Sequence, residues 1–495
     1  MSHAPLDTLP EAAPAPAPAA VAPAAAHDAA TPSALVDFMV ARWAPRGPAP
    51  EPLERAAYFR ARREILSARF PGDVLVVPSG NEKVRANDTH YRFRPGTDFY
   101  YLTGNVEPDC VLVMRPSAAG HDVRLYVEPN PGKTDATFFT DRIKGELWVG
   151  PRSGVPESAV RFGLAAAALG DLPATLEGIA TVGARVRVLR GVDPSVDGRI
   201  GSDAPDDAEL GAALSEMRLV KDPYEVAELQ RAIDATHRAF EDVLAALPAS
   251  KTERHVEGVF NLRARVDGND VGYNTIAASG AHACTLHWNA NDGALHAGEL
   301  LLLDAGVEAT SLYTADVTRT IPLSGTFSHE QREIYDLVLA AQDAGFAACR
   351  PGNDFLAPNV AAMMVLAHGL ERLGILPTTA EEALAETNQF YKRYALHGVS
   401  HMLGLDVHDC ARARQETYRY GKLVPGMVLT IEPGLYFQLD DLTVPERYRG
   451  IGVRIEDDVL VTDDGCRNLS GALPREASAV EAWVRDCGRR GFALP

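Results

Sequence analysis

Two aspartates interrupt strand-like sequence in ELLLLDAGVEATSLYTADVTRTIPL, residues 299–323, and they restrict the possible folds more than any other feature of the chain. An apolar run ends at Asp304, and a threonine-rich alternating run carries Asp316. Read as an antiparallel hairpin centred near Thr310, the segment places the two carboxylates opposite each other. Opposed like charges destabilise a sheet unless a positive group lies between them, and a metal cation is the natural candidate. The alternative is a different pairing, in which each aspartate merely ends a strand.

Two glutamates further along the chain also lie in strand-like sequence, where a carboxylate needs a positive partner. Glu432 lies within the β-branched run GMVLTIEPGLYF, and Glu456 lies within GIGVRIEDDVLVT. A carboxylate inside a hydrophobic strand is costly unless it is paired or bound to metal. Arg454 is two positions from Glu456 and shares its strand face, so an ion pair explains Glu456 as well as a metal does. Asp457 and Asp458 are expected to be turn or solvent-facing groups.

Three histidines, His397, His401 and His408, lie within the thirteen residues HGVSHMLGLDVHD. With at least one of them, the four carboxylates suit two divalent ions that share bridging carboxylates, because so few donors cannot build two separate sites. Mostly hard oxygen ligands favour Mn²⁺, and a site without thiolates gives no special preference for zinc.

The net charge and the cysteines bear on partners and location. A formal charge of -19 leaves no basic surface for DNA, RNA or an anionic membrane, although solubility explains such a charge more simply. No apolar run approaches the roughly 18 residues of a membrane span. A secretory signal begins with a positively charged region, but no Lys or Arg precedes Arg42. The six cysteines form no C-x-x-C pair and are expected to be reduced. The sequence therefore predicts a cytoplasmic protein.

The length of 495 residues exceeds what one hydrophobic core supports, so two domains are predicted. Residues 1–50 are rich in alanine and proline and are expected to form a disordered tail. The first domain is predicted over residues 51–215 and the second over residues 216–486, with a short C-terminal tail over residues 487–495.

Local signals predict early elements of each domain. GDVLVVPSG (72–80) and CVLVMRP (110–116) are β-branched runs bounded by turn residues, as buried strands are. In the second domain Asp222 fits the N-cap of a helix, Pro223 its first position and Glu225 the third position of a capping box.

Taken in order, these motifs resemble the metallopeptidases of the creatinase or pita-bread fold, and specifically the aminopeptidase P group. The matching pieces are LLLDAG, TADVTRT, HGVSHMLGLDVHD, TIEPGLY and GVRIEDDVLVT, with YNTIAASGAHACTLHW, MRLVKDPYEVAELQRA and YRFRPGTDFYYLTGNVEPDCVLVM before them. The resemblance covers nearly everything after residue 50. It implies an α/β (α+β) fold, in which a pita-bread catalytic C-terminal domain follows a smaller α/β N-terminal domain of the creatinase/prolidase type.

Carried over by position, the resemblance assigns a role to each candidate residue. It makes five of them the ligands of a dinuclear centre: Asp304, Asp316, His401, Glu432 and Glu456. Asp316 and Glu456 would bridge both ions. His287 and His408 match histidines that line the substrate pocket and contact the scissile carbonyl or the proline side. His397 and Arg454 match supporting positions near the site.

The spacing of the first two ligands departs from the family pattern. Eleven residues lie between Asp304 and Asp316, one more than the family commonly has. An extra residue at a hairpin tip can be absorbed by the turn or by a bulge. Asp316 therefore stays the predicted ligand.

The implied function is a dinuclear metal-dependent aminopeptidase that releases the N-terminal residue from peptides with proline in the second position. A hydroxide bridging two divalent ions, with Mn²⁺ the favoured metal, attacks the scissile carbonyl, and Glu432 takes and relays its proton. The family also implies a homodimer or homotetramer, in which the segment ELWVGPRSG (146–154) can help close a neighbouring subunit's site. A plain surface loop is the alternative interpretation of Arg152.

Other interpretations stay open within and outside this function. A prolidase, which cleaves only Xaa-Pro dipeptides, is the nearest alternative, and a catalytically inactive binding protein of the same fold is a more distant one. Methionine aminopeptidases generally lack the preceding domain, and creatinase lacks the complete ligand set. His282 is expected to be a loop residue and Tyr436 a core residue.

Overall fold

The computed structural model describes residues 31–495, with residues 48, 49, 88, 182, 202 and 203 left out of the description. Helices and sheets are interleaved along the chain and build two domains, which confirms the predicted α/β (α+β) class.

Part of the predicted N-terminal tail is structured. Of the tail predicted over residues 1–50, residues 1–30 lie outside the described residues. Helix α1 (Ser33–Val40) follows them. Next along the chain, the Trp43 ring packs edge-on against Phe138, with 5.3 Å between the ring centroids. The prediction of disorder is wrong for this part, because an aromatic ring makes contacts that alanine and proline cannot.

The first domain contains a mixed sheet flanked by helices. Its helices are α2 (Ala56–Arg69), α3 (Thr97–Thr103), α4 (Thr137–Thr140), α5 (Glu146–Val149), α6 (Val155–Phe162), α7 (Leu172–Thr181), α8 (Pro194–Asp197) and α9 (Ala204–Met217). Its strands are β1 (Val74–Pro78), β2 (Val84–Ala86), β3 (Thr89–His90), β4 (Val111–Ser117), β5 (Gly120–Val127), β6 (Ala165–Ala168) and β7 (Val186–Val188).

Strands β1 and β4 are the two runs predicted as buried strands, and both predictions are confirmed. They pair antiparallel within a five-stranded sheet of order β6–β5–β4–β1–β7. Leu75 and Val77 belong to the same core as residues of α2, whereas Val74 and Val76 pack in a core with residues of α7. Both faces of β1 are therefore covered, which explains its unbroken apolar sequence.

The second domain carries longer helices and the strands that build the site. Its helices are α10 (Pro223–Ala246), α11 (Glu253–Asp267), α12 (His329–Ala348), α13 (Ala357–Arg372), α14 (Ala380–Leu384) and α15 (Ala477–Arg490). Its strands are β8 (Asp270–Val271), β9 (Ile276–Ser279), β10 (Leu300–Ala305), β11 (Val307–Glu308), β12 (Val317–Pro322), β13 (Val428–Ile431), β14 (Gly434–Tyr436), β15 (Gly452–Arg454), β16 (Asp457–Val461) and β17 (Cys466–Asn468). None of the helices in the described chain is long and apolar enough to cross a membrane.

Helix α10 begins as predicted, and the last helix, α15, continues past residue 486, where the second domain was predicted to end. The Asp222 carboxylate accepts from the Glu225 N–H at 2.9 Å, the Glu225 carboxylate accepts from the Asp222 N–H at 3.0 Å, and Pro223 opens the helix. At the other end of the domain, α15 runs to Arg490 and buries Cys487. The C-terminal tail predicted from residue 487 is therefore partly helical, because the apolar period of the helix continues through this cysteine.

Strands β10 and β12 form the predicted antiparallel hairpin, but in a different register. Asp304 pairs with Thr318 and not with Asp316, and the tip is centred on Ser311. A shift of two residues keeps both carboxylates on the same face of the hairpin, so they lie diagonally rather than directly opposite. At the tip Leu312 has a φ of 64°, a left-handed turn conformation that side chains rarely adopt.

A buried ion pair joins β12 to β16. Arg319 Nη2 lies 2.7 Å from Asp457 Oδ1, and both side chains are fully buried. Arg319 Nη1 also donates to the backbone carbonyl of Glu456 at 2.6 Å, so the pair fixes the backbone that carries a predicted ligand. Ser470 Oγ and Gln342 Nε2 donate to the same carboxylate. The expectation that Asp457 faces a turn or solvent is therefore wrong.

We expect Arg319→Met to lower the free energy of unfolding by about 3–5 kcal/mol, because the substitution leaves the Asp457 charge buried without its partner. Unfolding in denaturant, followed by circular dichroism, measures this loss. Lys422→Met is the matched control, since Lys422 pairs with Asp354 on the surface, where the side chains are 60% and 65% exposed. The control should lose at most about 1 kcal/mol, and equal losses in the two variants would contradict the assignment.

Candidate metal centre

All the residues predicted for the site line one cavity of about 570 Å³. The predicted ligands in its wall are Asp304, Asp316, His401, Glu432 and Glu456, and the other predicted residues there are His287, His397, His408 and Arg454. The fold therefore brings together side chains that lie far apart in the sequence.

The four carboxylates all lie where strands end or where the chain passes between strands. Asp304 is near the end of β10, and Asp316 lies just before β12. Glu432 follows β13, and Glu456 lies between β15 and β16. Because the ends of these strands meet at one place, the carboxylates converge without being inserted into the middle of a sheet.

The fifth predicted ligand, His401, lies on an irregular segment that runs alongside β13. The Thr430 N–H donates to the His401 carbonyl at 3.0 Å, and the Glu432 N–H donates to the Val399 carbonyl at 2.9 Å. These backbone hydrogen bonds place the imidazole beside Glu432.

Asp316, His401 and Glu456 form the tightest group in the cavity. Each offers a ligand atom, and the three atoms all lie within 4.8 Å of one another. His401 Nε2 lies 3.3 Å from Asp316 Oδ2. Two carboxylates and one imidazole at this spacing can serve a single divalent ion.

Asp304 and Glu432 lie next to this group and are held by other partners. Arg454 Nη2 lies 2.5 Å from Asp304 Oδ2. Glu432 Oε1 lies 3.4 Å from His401 Nε2, so Glu432 and Asp316 share the same imidazole. All five predicted ligands therefore face one space.

The pKa values of Glu432, Glu456 and His401 are all raised, the carboxyls by burial and the imidazole by its carboxylate neighbours. Burial raises the pKa of Glu432 to about 7, against the opposing effect of His401, and burial together with Asp316 raises the pKa of Glu456 well above its ordinary value. Burial acts to lower the pKa of His401, but the hydrogen bond to Asp316 and the nearby Glu432 outweigh it and raise this pKa to about 9. The cluster therefore retains protons that a metal ion would displace.

The donor set fits divalent metal ions. Buried carboxyls crowded together need a compensating positive charge, and here Arg454 and His401 oppose four of them. Carboxylate oxygens with one imidazole and no thiolate are ligands that Mn²⁺ accepts and that zinc or cobalt also accept. Because the ligands must lose protons, metal affinity should fall as the pH falls.

The remaining predicted histidines lie at different depths in the cavity. His287 and His408 are on its exposed side, where they can meet a bound molecule. His397 lies deeper, with Nε2 2.7 Å from the Tyr436 hydroxyl, and burial together with Arg454 lowers its pKa to about 4. His397 is therefore a neutral supporting group in this structure.

Tyr273 belongs to the site, although the sequence analysis did not single it out. Its hydroxyl lies 2.6 Å from Asp304 Oδ1 and also contacts Asp316 Oδ1. Burial and both carboxylates raise the pKa of the phenol well above its ordinary value, so it stays a hydrogen-bond donor. The only signal in the sequence was its position just before the apolar strand β9.

Two further hydroxyls contact predicted site residues. Arg454 Nη1 donates to the Tyr436 hydroxyl at 2.8 Å, and this hydroxyl also contacts His397. Tyr436 is buried in a hydrophobic core cluster and does not line the cavity, which confirms the prediction of a core residue, although its hydroxyl contacts two site residues. Thr318 Oγ1 donates to Glu456 Oε2 at 2.6 Å, and the sequence analysis did not single out this threonine.

Two other expectations about this region are wrong. Arg454 ends β15 and Glu456 lies beyond it, so the two do not share a strand face, and the guanidinium pairs with Asp304 instead. Asp458 is buried rather than exposed to solvent, and its Oδ2 accepts from the backbone N–H of Asp316 at 3.1 Å. Strand β15 ends at Arg454 and β16 begins at Asp457, so Glu456 lies between two strands.

His282 and Arg152 were singled out in the sequence but lie outside the cavity wall. His282 lies in a short 3-10 helix, Gly280–Cys284, and not in a loop as predicted. Its Nδ1 is 2.8 Å from Glu253 Oε1, its ring is stacked on Trp288, and it does not line the cavity. Arg152 donates to the carbonyls of Lys144 and Pro129 within its own domain.

Comparison with known proteins identifies relatives of both domains. Residues 227–463 match metallopeptidase family M24, and residues 59–187 match the family described as aminopeptidase P, N-terminal domain. Xaa-Pro aminopeptidase 1 of Streptomyces coelicolor is 52% identical over 438 residues, which cover 88% of this chain and 88% of that protein.

Solved structures extend the likeness to three dimensions. The low-pH form of aminopeptidase P from Escherichia coli matches with a TM-score of 0.79 at 32% identity, covering 88% of this chain and 99% of that chain. The zinc-substituted E. coli aminopeptidase P in complex with product matches with a TM-score of 0.77 at 31% identity, covering 88% and 99% of the two chains. The likeness therefore spans both domains and the cavity.

Proposed function

The chain belongs to metallopeptidase family M24, with the N-terminal domain of aminopeptidase P ahead of a pita-bread catalytic domain, and it is a metallo-aminopeptidase. From this premise we propose that it releases the N-terminal residue from peptides with proline in the second position, using two divalent ions per subunit. The observation that carries the proposal is the convergence of all five predicted ligands on one cavity.

The residues that would hold the two ions are Asp304, Asp316, His401, Glu432 and Glu456, and Asp316 and Glu456 would serve both. Mn²⁺ is the proposed metal, because most of the donors are hard carboxylate oxygens. When bound, a pair of divalent ions lowers the pKa of a water enough to give hydroxide near neutral pH and polarises the scissile carbonyl.

Glu432 is the proposed proton carrier of the reaction. A general base must lie within reach of the proton that it takes, and Glu432 lines the cavity with Oε1 3.4 Å from His401 Nε2. It takes a proton from the attacking water and gives it to the proline nitrogen as the carbon–nitrogen bond breaks. This relay balances the reaction, because the nitrogen of an Xaa-Pro bond carries no hydrogen of its own.

His287 and His408 are the proposed contacts to the substrate. Both lie on the open side of the cavity, where an imidazole N–H can donate to the oxygen of the scissile carbonyl as negative charge develops on it. His397 and Arg454 lie beside the proposed ligands: Arg454 pairs with Asp304, and His397 Nδ1 is 3.6 Å from Glu432 Oε2. The Tyr436 hydroxyl contacts both of them. We assign these two residues to support of the site.

We also propose that the enzyme is a cytoplasmic homodimer or homotetramer. Its first domain carries an apolar patch formed by Ile143, Leu147, Trp148 and Val149, whose exposures are 58%, 54%, 52% and 50%. An exposed patch of this kind suits contact with another subunit. The patch overlaps the segment 146–154, which can help to close a neighbouring subunit's site.

We expect the metal-reconstituted protein to cleave Xaa-Pro-Yaa tripeptides and longer Xaa-Pro peptides, and the chelated protein to cleave neither. The cavity is large enough for a short peptide, and the proposed hydroxide cannot form without the metal. Release of the first residue from a length series of peptides, with added Mn²⁺ or with chelator, measures both effects. Peptides that lack proline in the second position are the control.

Each departure from this result has a distinct meaning. Cleavage of Xaa-Pro dipeptides alone would establish a prolidase. Bound metal at about two ions per chain without any turnover would indicate an inactive binding protein of the same fold. Turnover that survives complete chelation would contradict the metal assignment.

A further inference from the structure

His408 lies on an irregular segment, residues 403–410, whose shape no helix or regular strand determines. Within the segment, the Asp409 N–H donates to the Met402 carbonyl at 2.9 Å. The side chains that anchor the segment come largely from the first domain and from the connection between α9 and α10.

A buried ion network anchors the residue directly after His408. Arg218 Nε lies 2.9 Å from Asp409 Oδ1, and Lys221 Nζ lies 3.1 Å from Asp409 Oδ2. Arg218 also pairs with Asp98 of the first domain. The four side chains are 9% exposed or less, and their two positive and two negative charges balance.

The first domain also forms hydrogen bonds with the earlier part of the same segment. Arg94 Nη2 donates to the Leu405 carbonyl at 2.5 Å, and Thr97 Oγ1 donates to Asp406 Oδ1 at 2.7 Å. Arg94 Nε lies 2.6 Å from Glu308 Oε2, close to the tip of the β10–β12 hairpin. Contacts from α3 and from the chain before it therefore hold the segment before His408. Arg218 and Lys221 hold it directly after His408, and Asp98 of α3 acts there through Arg218.

The ion network around Asp409 costs desolvation free energy, and its atoms are closely packed. Burial acts to raise the pKa of Asp409, but Lys221 and Arg218 outweigh it and lower this pKa to about 2, so the carboxylate stays charged. A side chain at Gly404 would overlap Asp409 Oδ2, so the loop backbone packs directly on the carboxylate. Buried ions cost several kcal/mol each, and apolar residues of the same shape are often at least as stabilising. Stability alone therefore does not account for this arrangement.

We propose that two sets of side chains are positioning residues for His408: Asp409 with Arg218, Lys221 and Asp98, and Thr97 with its partner Asp406. Through them the first domain sets the geometry of the catalytic cavity. The inference rests on the proposed contact between His408 and the substrate. By this proposal, residues of the first domain affect the rate of the reaction in the cavity of their own chain. This role is separate from any contact with a neighbouring subunit.

A double-mutant cycle on the full-length, Mn²⁺-loaded protein tests the proposal. Thr97→Val removes the hydrogen bond to Asp406 and leaves every buried charge in place. We expect kcat on an Xaa-Pro-Yaa peptide to fall about 3–10-fold, as for the loss of one hydrogen bond, with metal content unchanged. Thr97→Ser should restore the rate. In a His408→Ala background, Thr97→Val should cause no further loss.

If the valine variant folds poorly, Asp98→Asn provides a second double-mutant cycle. It should lower kcat in the otherwise unchanged protein and cause no further loss in the His408→Ala background. Thr175→Val is the matched control, because Thr175 is bonded to Tyr126 in the first domain and its loss should leave kcat unchanged. Equal effects of Thr97→Val with and without His408, or no effect at all, would overturn the positioning role alone. Full activity of His408→Ala would overturn the proposed role of His408 and the positioning role together.

Discussion

Glu432→Gln is expected to lower kcat on an Xaa-Pro-Yaa peptide by about 10²–10⁴-fold, the usual contribution of a general base. Glutamine keeps the size and hydrogen-bonding reach of the side chain but cannot take a proton from the attacking water. The carboxyl suits that task because it lines the cavity beside the other proposed ligands, where the attacking water would lie. Steady-state kinetics over a series of Mn²⁺ concentrations measures the effect.

The metal series separates the two roles proposed for Glu432. A rate that stays low at saturating Mn²⁺ supports the proton relay, whereas a rate that recovers would make the residue only a ligand. Glu446→Gln serves as the matched control, since Glu446 is exposed and outside the cavity wall, and its kcat should be unchanged. Near-normal turnover by Glu432→Gln without added metal would rule out both roles.

Features set by neighbouring residues could be predicted from the sequence. The start of α10 depends on contacts within four residues, Asp222 to Glu225, and the structure has the predicted capping box. The buried strands β1 and β4 likewise follow from short apolar runs between turn residues. The capping box closes within four residues, and the apolar runs mark the two strands even though the strands pair with distant segments.

The hairpin register shows where local reasoning fails. The alternation of side chains correctly put Asp304 and Asp316 on one face, because that property depends only on a period of two. The exact pairing depends on the turn, and the turn here uses Leu312 in a left-handed conformation that its residue type does not favour. The error was therefore two residues, a distance that preserves the face and changes the partner.

Contacts between distant residues could not be predicted from a single sequence. Asp457 and Asp458 follow Glu456 in a polar-looking run, and only the fold shows that one pairs with Arg319 and the other accepts from Asp316. The positive partner of the first lies 138 residues away, a separation that spacing rules do not cover. The ligand set itself came from a family resemblance for the same reason.

His401→Ala is expected to abolish turnover and to remove most of the bound metal. His401 is the imidazole of the proposed ligand set, and its Nε2 lies 3.3 Å from Asp316 and 3.4 Å from Glu432. Loss of a residue that only supports a metal ligand commonly costs about 10–100-fold in affinity, so loss of a direct ligand should cost at least as much. Elemental analysis of the purified variant and its kcat measure the two effects.

The fold should survive this substitution, because the backbone of residue 401 keeps its hydrogen bond with Thr430 and the side chain is only at the cavity wall. Circular dichroism checks this, and His368→Ala is the control, since His368 is an exposed residue of α13. Metal lost together with activity, in a folded variant, would support the ligand role. If His401→Ala kept about two ions per chain and a near-normal rate, His401 would leave the ligand set, and Asp316 and Glu456 could no longer be explained as its partners around a shared ion.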